Sequence, residues 1–180
     1  YKETFAGYDG VKLKSEPNIK SAYVNSIFRP LPLFSMNIGV RLSKYSAYKE
    51  TLIDPRIAVK YNPISDLAIK ASWGNYSQFL YTINQEEELL RIVDFWQPIP
   101  DEQKPQQSEH YILGAEYWIS NGNTFSIETY YKPYSTLYDL SLVADPTDEE
   151  SYFSEGIGTA WGLEILYQYN IKRIRILCIE

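Results

Sequence analysis

The spacing of turn residues constrains the fold of this chain more than any other feature. Tight turns rich in Pro, Asn, Gly and Asp occur at RPLP, YNPISD, SNGNT and YNIK, and they alternate with long polar connections at 45–54, 80–108 and 135–156. In a meander of antiparallel strands, every tight turn then falls on one edge of the sheet and every long connection on the other. The pattern therefore predicts an all-β, up-and-down meander whose two edges are unlike.

Eight strands of about ten residues are predicted between these connections. They span about 18–28, 33–44, 55–61, 66–79, 109–119, 124–134, 157–169 and 171–179. Within them apolar and polar residues alternate, as Leu67, Ile69 and Ala71 do against Lys70 and Ser72, although the first strand is ambiguous. The strand lengths, the alternation and the unlike edges favour strands that cross a bilayer at a tilt. The alternative is a soluble β-sandwich in which the aromatic residues fill the core.

Composition excludes several classes of protein. The chain has 180 residues and a net charge of −6, without the grouped Lys and Arg that phosphate backbones require, so nucleic acid is not an expected partner. No apolar run approaches the roughly 20 residues of a spanning helix, which leaves barrels possible. Cys178 has no Cys or His neighbours for a disulfide or zinc site, and we expect no cofactor and no metal.

The stretch GIGTAWG at 156–162 places three glycines where a nucleotide-binding loop could be suspected. The sixth place of that fingerprint is Trp161, and a period-two pattern follows it, so the segment is predicted to be a strand. Positions 156, 158, 160 and 162 are all Gly or Ala, which leaves one face of this strand almost without side chains. Another part of the protein is therefore expected to approach that face closely.

The sequence contains no recognisable catalytic or calcium-binding motif. His110 has no Ser or Cys nucleophile at a recognisable spacing, and Glu86–Glu88 lack the alternating oxygen ligands of calcium loops. We therefore expect no catalytic residues and no enzymatic activity. The acidic run is instead predicted to lie in the first turn of a short helix that Asn84 caps. The apolar stripe of this helix is formed by Leu89, Ile92, Val93 and Trp96.

Five sequence features together resemble the barrel of TonB-dependent outer-membrane receptors, over about residues 19–167. They are Pro55 with Arg56, the segment Gly74 to Gln78, Gly114 with Glu116, Glu128 with Tyr130 and Lys132, and Gly162 with Glu164. The resemblance implies an arc of a transmembrane β-barrel of about 22 strands. Residues 1–180 are then part of the barrel domain, and the plug domain that such receptors fold inside the lumen is absent from the sequence.

The resemblance also implies roles for particular residues. Arg56, Glu116, Glu128 and Glu164 are expected to face the lumen in structural ion networks, and Gly158 and Gly162 to let the plug or lumen residues pack closely. Outward loops of the family bind cargo, so Trp96 and Tyr81 are candidate ligand contacts, with packing within the loop as the alternative role.

The implied function is active uptake of a scarce nutrient, such as an iron chelate, cobalamin or a glycan, across the bacterial outer membrane. The implied partners are outer-membrane lipid, the small-molecule or glycan cargo, and the TonB energy-transducing complex, which acts through the plug. Two other functions remain open: a passive or structural small outer-membrane barrel, and a soluble β-sandwich binding module. A plug domain in the longer protein distinguishes the first two.

Overall fold

The computed structural model describes residues 17–83, 95–99, 102–120, 122–140, 153–171 and 174–179. Ten strands lie in these ranges: β1 (Ile19–Leu31), β2 (Phe34–Tyr45), β3 (Thr51–Ile64), β4 (Leu67–Gln78), β5 (Leu80–Ile83), β6 (Phe95–Pro98), β7 (Gln106–Ser120), β8 (Asn123–Leu140), β9 (Phe153–Ile171) and β10 (Ile174–Ile179). Eight form one antiparallel sheet in the order β1-β2-β3-β4-β7-β8-β9-β10, and β5 and β6 form a separate hairpin. The predicted meander of eight long strands is confirmed.

The register of the sheet separates polar from apolar residues. One row across β3, β4, β7, β8 and β9 reads Lys60, Lys70, Gly114, Glu128 and Glu164. The adjacent row reads Tyr61, Ile69, Ala115, Ile127 and Ile165. Because successive side chains of a strand point to opposite sides, the sheet has a polar face, which contains the first row, and an apolar face, which contains the second.

The apolar face is uncovered in the described part of the chain. Leu113, Leu163 and Trp161 are 55%, 59% and 79% exposed. A soluble sandwich buries such a face under a second sheet, but the described residues form no second layer on it. Exposed apolar area of this extent marks a surface that contacts an apolar medium or a partner.

The first strand, ambiguous in sequence, is assigned by its partner. Tyr23 lies opposite Arg41 and Ile27 opposite Asn37, which places both on the polar face, while Val24 lies opposite Val40 on the apolar face. Among the described residues β1 and β10 are the outermost strands and do not pair with each other. The eight strands are therefore an open arc and not a small closed barrel.

The two edges of the sheet differ as the sequence predicts. Two-residue turns at 32–33 and 65–66 and the short connections after Ser120 and Ile171 lie on one edge, and the connections at 46–50, 79–105 and 141–152 lie on the other. Gly122 has a φ of 85°, which glycine tolerates at no steric cost, and so it allows the turn between β7 and β8. No helix in the described ranges is long and apolar enough to cross a bilayer.

The largest differences from the predicted bounds are extensions of β3, β8 and β9. β3 begins at Thr51 and not at Pro55, and β8 and β9 remain paired from Tyr134 opposite Gly158 to Leu140 opposite Phe153. The polar residues of these extensions have loop-like composition, and only pairing with a neighbouring strand makes them β. A bulge between Tyr134 and Leu137 separates the extension from the rest of β8.

The helix predicted after Asn84 is wrong at its end, where the structure has the β5–β6 hairpin. Residues 84–94, which hold most of that helix, lie outside the described residues. Trp96, the last member of its proposed apolar stripe, is in a strand and pairs with Thr82. Residues 95–98 form a strand and not the end of a helix because strand pairing satisfies the backbone groups of both segments, and because Phe and Trp favour strands.

The hairpin is fastened to the long-loop edge by a buried cluster. This hairpin cluster consists of Tyr45, Leu52, Phe79, Tyr81 and Ile99. The Tyr45 hydroxyl donates a hydrogen bond to the Ile99 carbonyl over 2.6 Å, and the rings of Tyr45 and Phe79 lie 5.2 Å apart. The backbone N–H of Glu102 donates to the carbonyl of Ala47 over 2.7 Å, which ties the returning chain to the connection between β2 and β3.

Candidate functional site

Among the described residues, three open depressions are lined mainly by residues of the polar face. A depression of about 850 Å³ lies against Asn25, Arg41 and Arg56, and one of about 400 Å³ lies against Lys60, Lys70 and Glu128. The third, of about 550 Å³, lies at the long-loop edge below the β5–β6 hairpin. The polar face is therefore the side of the sheet on which a ligand or another domain can be received.

Charges on the polar face are only partly matched. Lys70 forms an ion pair with Glu116 on the neighbouring strand. Glu128 and Glu164 lie directly opposite each other, and neither has an ion-pair partner among the described residues. Like charges opposite each other across strands are destabilising, so this pair favours a cation supplied from outside the described sheet.

A second group on this face is built around Tyr76. The Arg56 guanidinium lies 4.4 Å from the Tyr76 ring centre, and the His110 ring stacks on Tyr76 at 4.2 Å. Gly74 is required beside this group, because a Cβ there would lie 2.9 Å from the Cγ of Arg56. Cation–π and stacking contacts fix the orientation of all three side chains without burying a charge.

The structure also places the Ser108 hydroxyl 3.1 Å from His110 Nε2, a contact that sequence spacing did not reveal. A nucleophile and base also need a group that orients the base and donors for an oxyanion. The described contacts of His110 are with Ser108 and Tyr76 only. These two contacts orient the imidazole, and no third group that orients it is found among the described residues.

Side chains of β8 lie against the face of β9 that carries Gly156, Gly158 and Gly162. A Cβ on Gly162 would lie 2.6 Å from the hydroxyl oxygen of Tyr130, whose ring lies across the glycine. The Nζ of Lys132 lies 4.2 Å above the same ring. A Cβ on Gly158 would lie 2.9 Å from Leu137 Cδ1, whereas Gly156 has no atom within 4 Å of that position. Side chains from β8 therefore occupy two of the three positions.

The outer groove is the depression at the long-loop edge, and Ile19, Tyr76, Trp96, Gln106, His110 and Tyr134 contribute to its lining. Trp96 is 55% exposed there. Tyr81, the other candidate ligand contact, is 2% exposed and packs inside the hairpin cluster. The structure thus places Trp96 at a groove and Tyr81 inside the hairpin cluster.

The six residues expected to face a lumen share the polar face. Arg56 lies in the register row of Gly74 and His110, Glu116 beside Ser126, and Glu128 beside Glu164. Gly158 and Gly162 lie opposite Tyr134 and Tyr130. In the described part of the chain, no group of three or more His, Cys, Asp or Glu residues comes together as metal ligands do.

Comparisons with known proteins support the fold. The crystal structure of the siderophore receptor PirA from Pseudomonas aeruginosa is similar to this chain with a TM-score of 0.69 and 13% sequence identity. The match covers 92% of this chain and 35% of the receptor, so the chain spans about a third of that receptor's length. No family model and no curated protein matches the sequence. The chain has the fold of part of a TonB-dependent receptor barrel, as its sequence motifs predict.

Proposed function

We propose that this chain is a segment of the barrel of a TonB-dependent receptor in a bacterial outer membrane, and that it acts in transport and not as an enzyme. The receptor takes up a scarce nutrient, and the TonB complex supplies energy through a plug domain. The observation that carries the proposal is the apolar face, which the described residues leave uncovered over a sheet with the fold of a receptor barrel.

Lipid is the medium that suits this face. On this face one register row contains Tyr117, Phe125 and Tyr167, and a second contains Trp73, Tyr111, Tyr131 and Trp161; the rows between them hold the aliphatic residues Ile127 and Leu113. Lipid-facing barrel strands have an apolar band flanked by such aromatic residues. Their backbone groups pair within the sheet, which a hydrocarbon surrounding requires.

The polar face suits a lumen that holds a plug. Glu128 and Glu164 lack a partner among the described residues, and a Lys or Arg from a plug domain supplies the missing charge. The open outer edge of β1 is completed by a further strand of a longer barrel. Arg56, Glu116, Gly158 and Gly162 belong to the same wall as structural residues.

Brominated lipid tests the orientation of the two faces. In the full-length receptor folded into vesicles, two variants retain one tryptophan each, Trp161 on the apolar face or Trp118 on the polar face, with the others changed to Phe. Bromine on the acyl chains should quench Trp161 strongly and Trp118 weakly, because quenching requires contact. Equal quenching of the two would contradict the proposed membrane orientation.

A further inference from the structure

The outer groove differs in chemistry from the rest of the polar face. Its lining contains aromatic rings, hydroxyl groups and amides, and His110 is its one titratable residue other than tyrosine among the described lining residues. Among the described residues that line it there is no Asp, Glu, Lys or Arg, although Arg56 lines the adjacent depression. An ionic ligand entering this groove loses hydration without gaining a counter-charge.

Aromatic and amide groups provide a different kind of recognition. Trp96 presents a flat apolar surface that is 55% exposed, at the rim formed by the hairpin. Gln106 lies on β7 on the same face as His110, and a glutamine amide both donates and accepts hydrogen bonds. A ring with apolar C–H surfaces and hydroxyl groups at its edge satisfies both kinds of group at once.

The floor and rim of the groove are held in place before any ligand arrives. His110 is fixed by its stack on Tyr76 and by Ser108, and the hairpin carrying Trp96 is fastened by the hydrogen bond from Tyr45 to Ile99. Preorganised side chains lose less entropy when a ligand binds. The arrangement therefore favours a specific site over an accidental gap between loops.

We propose that the outer groove binds a neutral oligosaccharide, with Trp96 stacking on a sugar ring and the Gln106 amide bonding its hydroxyl groups. This inference rests on the proposed transport function and selects the glycan among the nutrient classes that the function allows. An anionic iron chelate finds no Lys or Arg among the described residues of the lining.

Binding to the full-length receptor in detergent tests this assignment. The probes are neutral hexasaccharides of glucose, xylose, mannose and galactose, with ferric citrate as the anionic chelate, followed by calorimetry and tryptophan fluorescence. At least one hexasaccharide should bind and ferric citrate should not. Trp96→Ala should weaken sugar binding about tenfold or more, as loss of a central aromatic anchor does.

Matched variants separate the possible results. Trp161→Ala removes a tryptophan from the apolar face and should leave sugar affinity unchanged, while Trp96→Phe should retain part of it. Failure of every hexasaccharide to bind, binding that survives Trp96→Ala, or Trp96-dependent binding of ferric citrate would each overturn the assignment. The lipid-quenching result is independent, so a failed sugar assignment with quenched Trp161 leaves the transport proposal standing.

Discussion

Adding a single methyl group at Gly162 should destabilise the sheet by forcing Tyr130 from its position. A Cβ at this residue would lie 2.6 Å from the Tyr130 hydroxyl oxygen and 2.7 Å from Cζ. Since a normal contact is about 3.5 Å, the ring must move by roughly 0.9 Å. Overpacking costs about 1–3 kcal/mol in a packed core; because Tyr130 is only half-buried and its ring end can shift, we expect Gly162→Ala to lower the free energy of unfolding by about 1 kcal/mol.

The assay is urea unfolding of the receptor in phospholipid vesicles, followed by tryptophan fluorescence. Gly156→Ala is the matched control, because it lies on the same strand and face with no atom within 4 Å of the added carbon. It should be neutral, or stabilise by a few tenths of a kcal/mol by restricting the unfolded chain.

A double-mutant cycle identifies Tyr130 as the cause. In a Tyr130→Ala background, which empties the space over the glycine, Gly162→Ala should cost nearly nothing. An equal cost in both backgrounds, or equal effects of Gly162→Ala and Gly156→Ala, would refute the reasoning. An equal cost in both backgrounds would mean that the added methyl group destabilises the backbone and does not act through the Tyr130 ring.

Three further predictions concern the membrane and the loops. Leu113→Arg on the apolar face should cost about 2–4 kcal/mol in vesicle unfolding, whereas Ser126→Arg on the polar face should cost much less; equal costs would contradict a lipid-facing surface. In intact cells, with Cys178 changed to Ser, an impermeant maleimide should label a cysteine at Glu102 and should label one at Asn123 only after lysis; labelling of both before lysis would refute the sidedness. Burial raises the pKa of Tyr81 above 10.0, so its contribution to hairpin stability is present below pH 10 and is lost as pH rises through the folded pKa. Protease cleavage of the hairpin should therefore increase in strong alkali, and less so in Tyr81→Phe; identical pH profiles would contradict this role.

The alternation of residues was sufficient to predict the strands of the main sheet and, except for the first strand, their faces. Leu67, Ile69 and Ala71 are separated from Lys70 and Ser72 as their period of two requires, because register within a sheet preserves this alternation. The turn residues predicted which edge of the sheet carries the tight turns, and this signal is also local. Gly122, for example, adopts a positive φ that other residues rarely adopt.

Contacts between distant segments were not predictable in the same way. The β5–β6 hairpin joins segments on either side of the long connection, and a helical spacing of apolar residues concealed it. The positions of Arg56 and His110 around Tyr76 depend on the register of three strands. The sequence indicated that the glycines accommodate a neighbour, but only the pairing of β8 with β9 identifies Tyr130 at Gly162.

The hydrogen bond from the Ile99 N–H to the Phe79 carbonyl, 3.0 Å long at the base of the hairpin, affects how the sheet assembles. Neighbouring strands in this sheet follow one another in the chain except at β4 and β7, which flank residues 79–105. The entropy lost on closing a loop grows with its length. With β5 paired to β6 and this bond formed, Phe79 and Ile99 lie side by side, so the connection that β4 and β7 still have to close is residues 100–105. The largest insertion between strands then adds little to the entropy cost of pairing β4 with β7.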